Sequence, residues 1–124
     1  MMQLSVIAFG GAVGAVLRFL LSNSVYAIMG RNFPWGTLFV NVLGSLLMGF
    51  LYILFVERMQ TSVELRSFVL VGLLGAFTTF STFSIETLTL IESGELLRAG
   101  LNILISIICC VAACWLGFML GRQI

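Results

Sequence analysis

Histidine, lysine and aspartate are missing from this chain of 124 residues, and proline occurs once, at Pro34. No nucleophile–base pair, metal-ligand cluster or phosphate-binding loop appears either, so the chain is not read as an enzyme. Charge is scarce: six arginines stand against five glutamates, a net charge of +1, and no basic face is left for a nucleic acid. The three cysteines, Cys109, Cys110 and Cys114, sit together in one apolar run. That clustering suggests neither a disulfide framework nor the separated pairs of a zinc site, and they read as small apolar residues of a helix. No charged leader with a small-residue cleavage site precedes the first apolar run, so that run is expected to stay in the mature protein.

What is abundant is apolar surface. Hydrophobic residues make up 60% of the chain, charged residues 9%, and the mean hydropathy is +1.18, values of a membrane protein. About 20 apolar residues cross a bilayer core, and four runs qualify: 4–29, 35–56, 67–91 and 99–120. The gaps between them, "RNFPWG", "ERMQTSVELR" and "ESGELLR", are short, with Pro34 suited to the first helical position. The expectation is an all-α membrane protein, one four-helix transmembrane domain over residues 1–124, with both termini on the same side.

Lys/Arg bias in short loops sets orientation. Arg58, Arg66 and Arg122 fall on the side of the termini, and Arg31, Arg98 and Arg18, read as near the end of the first helix, fall on the other. A chain with no bias inserts either way round, and opposed copies pair through a two-fold axis lying in the membrane plane. An antiparallel homodimer is therefore expected. Small residues four apart, Gly10 with Gly14, Ser45 with Gly49, and Ala113, Gly117 and Gly121, supply the close packing that helix association in lipid relies on.

Polar side chains inside the apolar runs mark pathways or helix contacts. Thr37, Asn41 and Ser45 recur every four residues on one face of the second helix, and Asn102, Ser106 and Cys110 repeat the spacing on the fourth. Hydrogen-bonded packing and an ion path explain these stripes equally well. Two charges lie within or near the crossings. Arg18 either snorkels to the interface or raises the positive potential of an entry vestibule. Glu86 is either a proton-coupling carboxylate or a group held by hydrogen bonds to Thr or Arg.

The third run carries "GAFTTFSTFS", residues 75–84, where β-branched and hydroxyl side chains weaken a helix. A break near Thr78 is expected. Non-helical backbone at membrane depth survives only when buried in protein or lining a cavity, and an interrupted helix offers free carbonyls to cations and free N–H groups to anions. Phe80 and Phe83, three apart, point the same way, with Ser81, Thr82 and Ser84 around them. Ring edges are positive, so paired edges with hydroxyl and amide donors suit a small, hard anion. On spacing alone, a Phe row at helical period is more often ordinary core.

At these residues the chain resembles the Fluc (CrcB) family of fluoride channels over nearly its full length. The matching stretches are "GGAVGAVLRF", "PWGTLFVNVLGSLLMG" and the most specific, "GLLGAFTTFSTFS". The resemblance implies a dual-topology homodimer in the bacterial inner membrane, surrounded by lipid, whose two pores, each built from both subunits, export fluoride passively. It implies that Asn41 is a pore amide, that Phe80 and Phe83 coordinate fluoride by ring edges, and that Ser81 and Thr82 belong to the polar wall. It also implies a structural Na+ at the dimer centre, held by main-chain oxygens of Gly75 and Thr78 from each copy. Along the fourth helix the family carries Ser, Thr or Tyr hydroxyls, where this chain has Asn102, Ser106 and Cys110.

Fluoride holds its water tightly, and a pore must replace that shell with donors weak enough to let the ion leave. A rival class, the proton-coupled small multidrug transporters, shares four short helices and dual topology. It places an essential Glu within the first helix, where this chain has no acid. A noncatalytic anchoring subunit is the remaining alternative.

Overall fold

The computed structural model describes residues 1–124 and contains helices and turns without a strand. Helix α1 runs Met2–Met29. Helix α2 spans Trp35–Arg58, its last stretch Ile53–Arg58 being π-helical. Helix α3 covers 63–77 and is π-helical over Ser67–Leu73. Helices α4, Phe80–Glu92, and α5, Leu96–Gln123, follow. Because α3 and α4 together make one crossing, Val63–Glu92, the chain has four segments long and apolar enough to span a membrane. It is a multi-pass membrane protein.

Local chemistry explains the ends. Gly30 (φ 84°) closes α1, its N–H donating to Tyr26 O at 2.8 Å, and Gly94 (φ 81°) turns the chain between α4 and α5. Pro34 is the N-cap of α2, one place earlier than the first-turn position expected for it. Ser62 caps α3, its hydroxyl accepting from the Leu65 N–H at 3.2 Å, with Glu64 in the first turn. The helices outrun the apolar runs by a few residues, since polar side chains such as Glu57, Arg58 and Gln123 extend a helix beyond the hydrocarbon.

Helix α2 packs most extensively on α5, and α1 on α3. Both contacts rest on glycine. A Cβ at Gly14 would run into Leu73 O, one at Gly72 would lie 2.7 Å from Ile7 O, and one at Gly49 would strike Cys114 O. Gly10 and Gly14 of α1, Gly49 of α2 and Gly117 of α5 are thus backbone-to-backbone packing sites, Gly121 meets the Ile53 side chain, and Ser45 faces a groove. Gly14→Val is expected to destabilise the protein by about 1–3 kcal/mol, because two backbones must separate. Gly100→Ala, with no atom within 4 Å of the added methyl, serves as the control that loses nothing in the same thermal-unfolding measurement in detergent.

Arg18 is not a loop charge. It lies well inside α1, and its Nε donates to Ala76 O at 3.0 Å. The even count of arginines therefore becomes Arg58, Arg66 and Arg122 against Arg31 and Arg98, still close to balance.

Candidate functional site

The third crossing is interrupted where the hydroxyl-rich stretch begins. Helix α3 stops at Phe77, Thr78 (φ −87°, ψ 159°) and Thr79 (φ −152°, ψ 116°) are extended, and α4 starts at Phe80. Thr79 is the N-cap of α4: its Oγ1 accepts from the Thr82 N–H at 3.1 Å and donates to Thr82 Oγ1 at 3.1 Å. Three further hydroxyls of α4 turn back on their own helix. Ser84 donates to Phe80 O at 2.9 Å, Thr87 to Phe83 O at 2.7 Å and Thr89 to Ile85 O at 2.8 Å, which lets a hydroxyl-rich helix sit at membrane depth.

Asn41 holds the break from α2. Its Nδ2 donates to Thr79 O at 3.0 Å while its Oδ1 accepts from the Thr79 N–H at 2.7 Å, so the amide pairs with an extended residue as a neighbouring strand would. Orientation is fixed, since only Oδ1 can accept from the N–H. One of the two Nδ2 hydrogens is used by Thr79 and the other is free for a further acceptor.

The same pairing has a consequence for α3. The Thr79 N–H, which would continue the ladder onto Gly75 O, is taken by Asn41, and the Thr82 N–H, which would reach Thr78 O, is taken by the Thr79 cap. Gly75 and Thr78 thereby lose their regular helical donors, which leaves carbonyls suited to a hard cation. Ala76 O is instead held by Arg18, a cation at a helix C-terminus, where it complements the dipole. Arg18 is therefore a clamp on the broken helix and not a snorkelling side chain.

Beside the break lies a groove of about 330 Å³ between α2, α4 and α5. Asn41 and Ser45 line it from α2, Thr79, Phe80 and Phe83 from the break and α4, Ser106 and Cys110 from α5, and no charged residue does. The Phe80 and Phe83 rings have centroids 5.3 Å apart and are tilted by 45°. Phe83 is half-buried, whereas Phe80 is 77% exposed at the mouth.

Other expected residues lie elsewhere. The fourth-helix stripe divides: Ser106 and Cys110 reach the groove, but Asn102 is buried against α4, donating from Nδ2 to Thr87 Oγ1 at 2.8 Å, and accepts from Ser106 at 3.3 Å. Asn102 ties α5 to α4 and does not face the Thr37–Asn41–Ser45 stripe. Ser81 lies outside the groove, on the exposed face of α4 with Phe80 and Ile85, and Thr82 is turned toward the Thr79 cap. Thr37 leaves the stripe too, meeting Tyr26 instead.

Glu86 is held by a residue the sequence did not single out. Tyr26 donates to Glu86 Oε2 at 2.6 Å, and its hydroxyl oxygen lies 3.2 Å from Thr37 Oγ1. The phenol has one hydrogen, given to Glu86, so the Thr37 hydroxyl is the donor in the second bond. The expected partners, Thr or Arg, do not touch the carboxylate directly. Arg31 stacks over the Tyr26 ring at 4.4 Å, and Glu86 Oε1 is buried without a partner. Tyr26→Phe leaves both carboxylate oxygens without a donor, for an expected loss of about 1–3 kcal/mol. Adding Glu86→Gln changes that loss if the pair is coupled, and a double-mutant cycle on thermal unfolding measures the coupling.

A four-crossing membrane protein with an interrupted third crossing, an uncharged polar groove beside the interruption and an aromatic pair at its mouth belongs to the class that handles small solutes at membrane depth. The family model described as "CrcB-like protein, Camphor Resistance (CrcB)" matches residues 5–118. A "Fluoride-specific ion channel FluC" of Magnetococcus marinus is 57% identical over 123 residues, covering 99% of this chain and 100% of that protein. Proteins of the same name from Hydrogenovibrio crunogenus and Methylococcus capsulatus are 52% and 54% identical, this chain covering 92% of the former and 54% of the latter. The chain spans about half the length of the Methylococcus capsulatus relative. It belongs to the CrcB family.

Proposed function

We propose that this protein is a passive, fluoride-selective channel that exports fluoride across the bacterial inner membrane, and not an enzyme. The observation that carries the reading is the groove itself: an amide with a free N–H, hydroxyls and tilted phenyl rings line it without one charged side chain. Such donors replace part of an anion's water, yet none binds as a full cation would, which keeps the ion able to leave. Asn41 and Phe83 act along the groove, Phe80 at its mouth, and Ser106 on the α5 wall. Ser81 and Thr82 belong to the wall completed by a second copy.

The working unit is an antiparallel homodimer in lipid. A single copy leaves Phe80 and Ser81 exposed beside the groove, and Gly75 is exposed too, with only Leu70 O, at 3.8 Å, near an added methyl. The near balance of loop arginines supports insertion in both orientations. The Gly75 and Thr78 carbonyls of both copies would hold a central Na+, which would offset part of the unfavourable energy of an anion in low dielectric. Arg18 keeps Ala76 O out of that set by hydrogen-bonding it. Tyr26, Thr37 and Glu86 hold α1, α2 and α4 in register beside the path.

Purified protein in liposomes loaded with fluoride tests the proposal. Fast, electrogenic fluoride release that needs no proton gradient and does not extend to chloride is the expected result. Drug-driven proton flux without fluoride current would favour a small multidrug transporter, and vesicles that keep their fluoride would leave only an anchoring role. Cross-linking that traps parallel neighbours alone would overturn the dimer.

A further inference from the structure

The part of the groove away from the break carries a chemistry that anion conduction does not need. Cys110 and Cys114 stand one turn apart on α5, and both line the groove, as does Met48 from the facing helix α2. Both thiols are free and half-buried, whereas Cys109 is exposed on another face of the helix.

Side chains four apart on a helix have Cβ atoms roughly 5–6 Å from each other, a separation that one two-coordinate ion bridges. No group of three His, Cys, Asp or Glu side chains is placed to hold a metal ion together, so the local donor set is two thiols and a thioether. Hard ions such as Mg2+ and Ca2+ are poorly served by sulfur, while soft thiolate and thioether ligands select soft cations.

We propose that Cys110, Cys114 and Met48 form a site for a soft cation of the mercury(II), silver(I) or copper(I) class, and that its occupation closes the groove to anions. For mercury(II) chloride each thiol loses a proton and displaces one chloride as its S–Hg bond forms, so two protons and two chloride ions leave and no electron is transferred. The closing effect has two sources: the metal and its displaced side chains fill the narrow space between α2 and α5, and a bound cation traps an anion that must otherwise move on. The blocking half of the inference rests on the groove being the fluoride path; the binding half does not.

The test uses the full chain in two formats. In detergent, mercury(II) chloride is titrated while thiolate-to-metal charge-transfer absorption and proton release are followed. Wild type is expected to bind one equivalent per chain at the pair, and Cys110→Ser/Cys114→Ser to lose that signal while Cys109→Ser keeps it. In liposomes, fluoride efflux is read with and without mercury(II), each variant referred to its own metal-free rate. A fall of about tenfold or more in wild type and in Cys109→Ser, reversed by a dithiol and absent from the double variant, is expected. Equal inhibition of the double variant, or no charge-transfer band in wild type, overturns the site. Binding without inhibition of a conducting protein overturns the block alone. A protein that binds mercury(II) but releases no fluoride in its absence overturns the channel reading and leaves the site standing. Met48→Leu, which keeps the thiols and the helix packing, is expected to weaken silver(I) protection of the pair against a maleimide, and unchanged protection removes Met48 from the site.

Discussion

Asn41→Ala is expected to reduce fluoride efflux from proteoliposomes by about a hundredfold, the largest loss available from removing one amide. The side chain is the only hydrogen-bond partner of both the Thr79 N–H and the Thr79 carbonyl at the interruption. Leaving two such groups unpaired at membrane depth costs roughly 1–3 kcal/mol each. The chain has a way to avoid that: Thr79 N–H returns to Gly75 O and the two half-helices join. A loss of ~3 kcal/mol for the interrupted form leaves about one part in a hundred in the conducting arrangement. Asn41→Asp separates the clamp from the free N–H. It keeps the acceptor for Thr79 N–H, removes both donors and puts an acid into an anion's path. If the clamp is all that matters, Asn41→Asp retains more efflux than Asn41→Ala; if the free N–H also meets the ion, the two fail alike. Efflux of Asn41→Ala within about threefold of wild type would show that the interruption is held by something other than Asn41.

The contrast between what the sequence discloses and what it hides follows from the range of the forces involved. Crossings are set by the length of apolar runs, and the interruption by hydroxyls and β-branching within a few residues of Thr78; both are local, and both are legible. The pairings Tyr26–Glu86, Arg18–Ala76 and Asn102–Thr87 join different helices, and their register depends on how closely glycine lets two backbones approach. Nothing on one helix reports that distance. The stripe on α5 illustrates the limit: a four-residue spacing puts Asn102, Ser106 and Cys110 on one side, but α4 crosses α5 at its N-terminal end and claims Asn102, leaving the others to the groove. The π-helical stretches Ile53–Arg58 and Ser67–Leu73 had no counterpart in the apolar pattern. Each wider turn rotates the residues that follow relative to an α-helical projection, so the face presented by α3 just before the interruption was not readable from a 3.6-residue period. Ser81 and Thr82 were readable as polar and near the aromatic pair, but the single chain does not bring them into the groove. Their surroundings depend on whatever covers the exposed side of α4.

Phe83→Ile is the second change expected to stop conduction, and it does so without touching the fold. Isoleucine fills most of the ring's volume and is as apolar, so the packing of α4 on α5 survives and the protein elutes at the same size on gel filtration. What disappears is the ring edge, whose hydrogens carry partial positive charge. The next hydroxyls along α4, Ser84 and Thr87, do not replace it, because they have given their hydrogens to the helix carbonyls. Losing the ring's stabilisation of a partly dehydrated ion by ~3 kcal/mol slows passage by on the order of a hundredfold. Phe80→Ile is expected to act in the same direction, since the two rings lie 5.3 Å apart and both line the groove. The double variant is the sharper measurement. Barriers met in series are governed by the highest, so the combined loss should be close to the larger single loss and well short of the product of the two. Multiplicative losses would mean that the rings contact one bound ion together. Unchanged efflux in both single variants, with the dimer intact, would mean that the aromatic pair is only packing and that fluoride, if it crosses at all, takes another way.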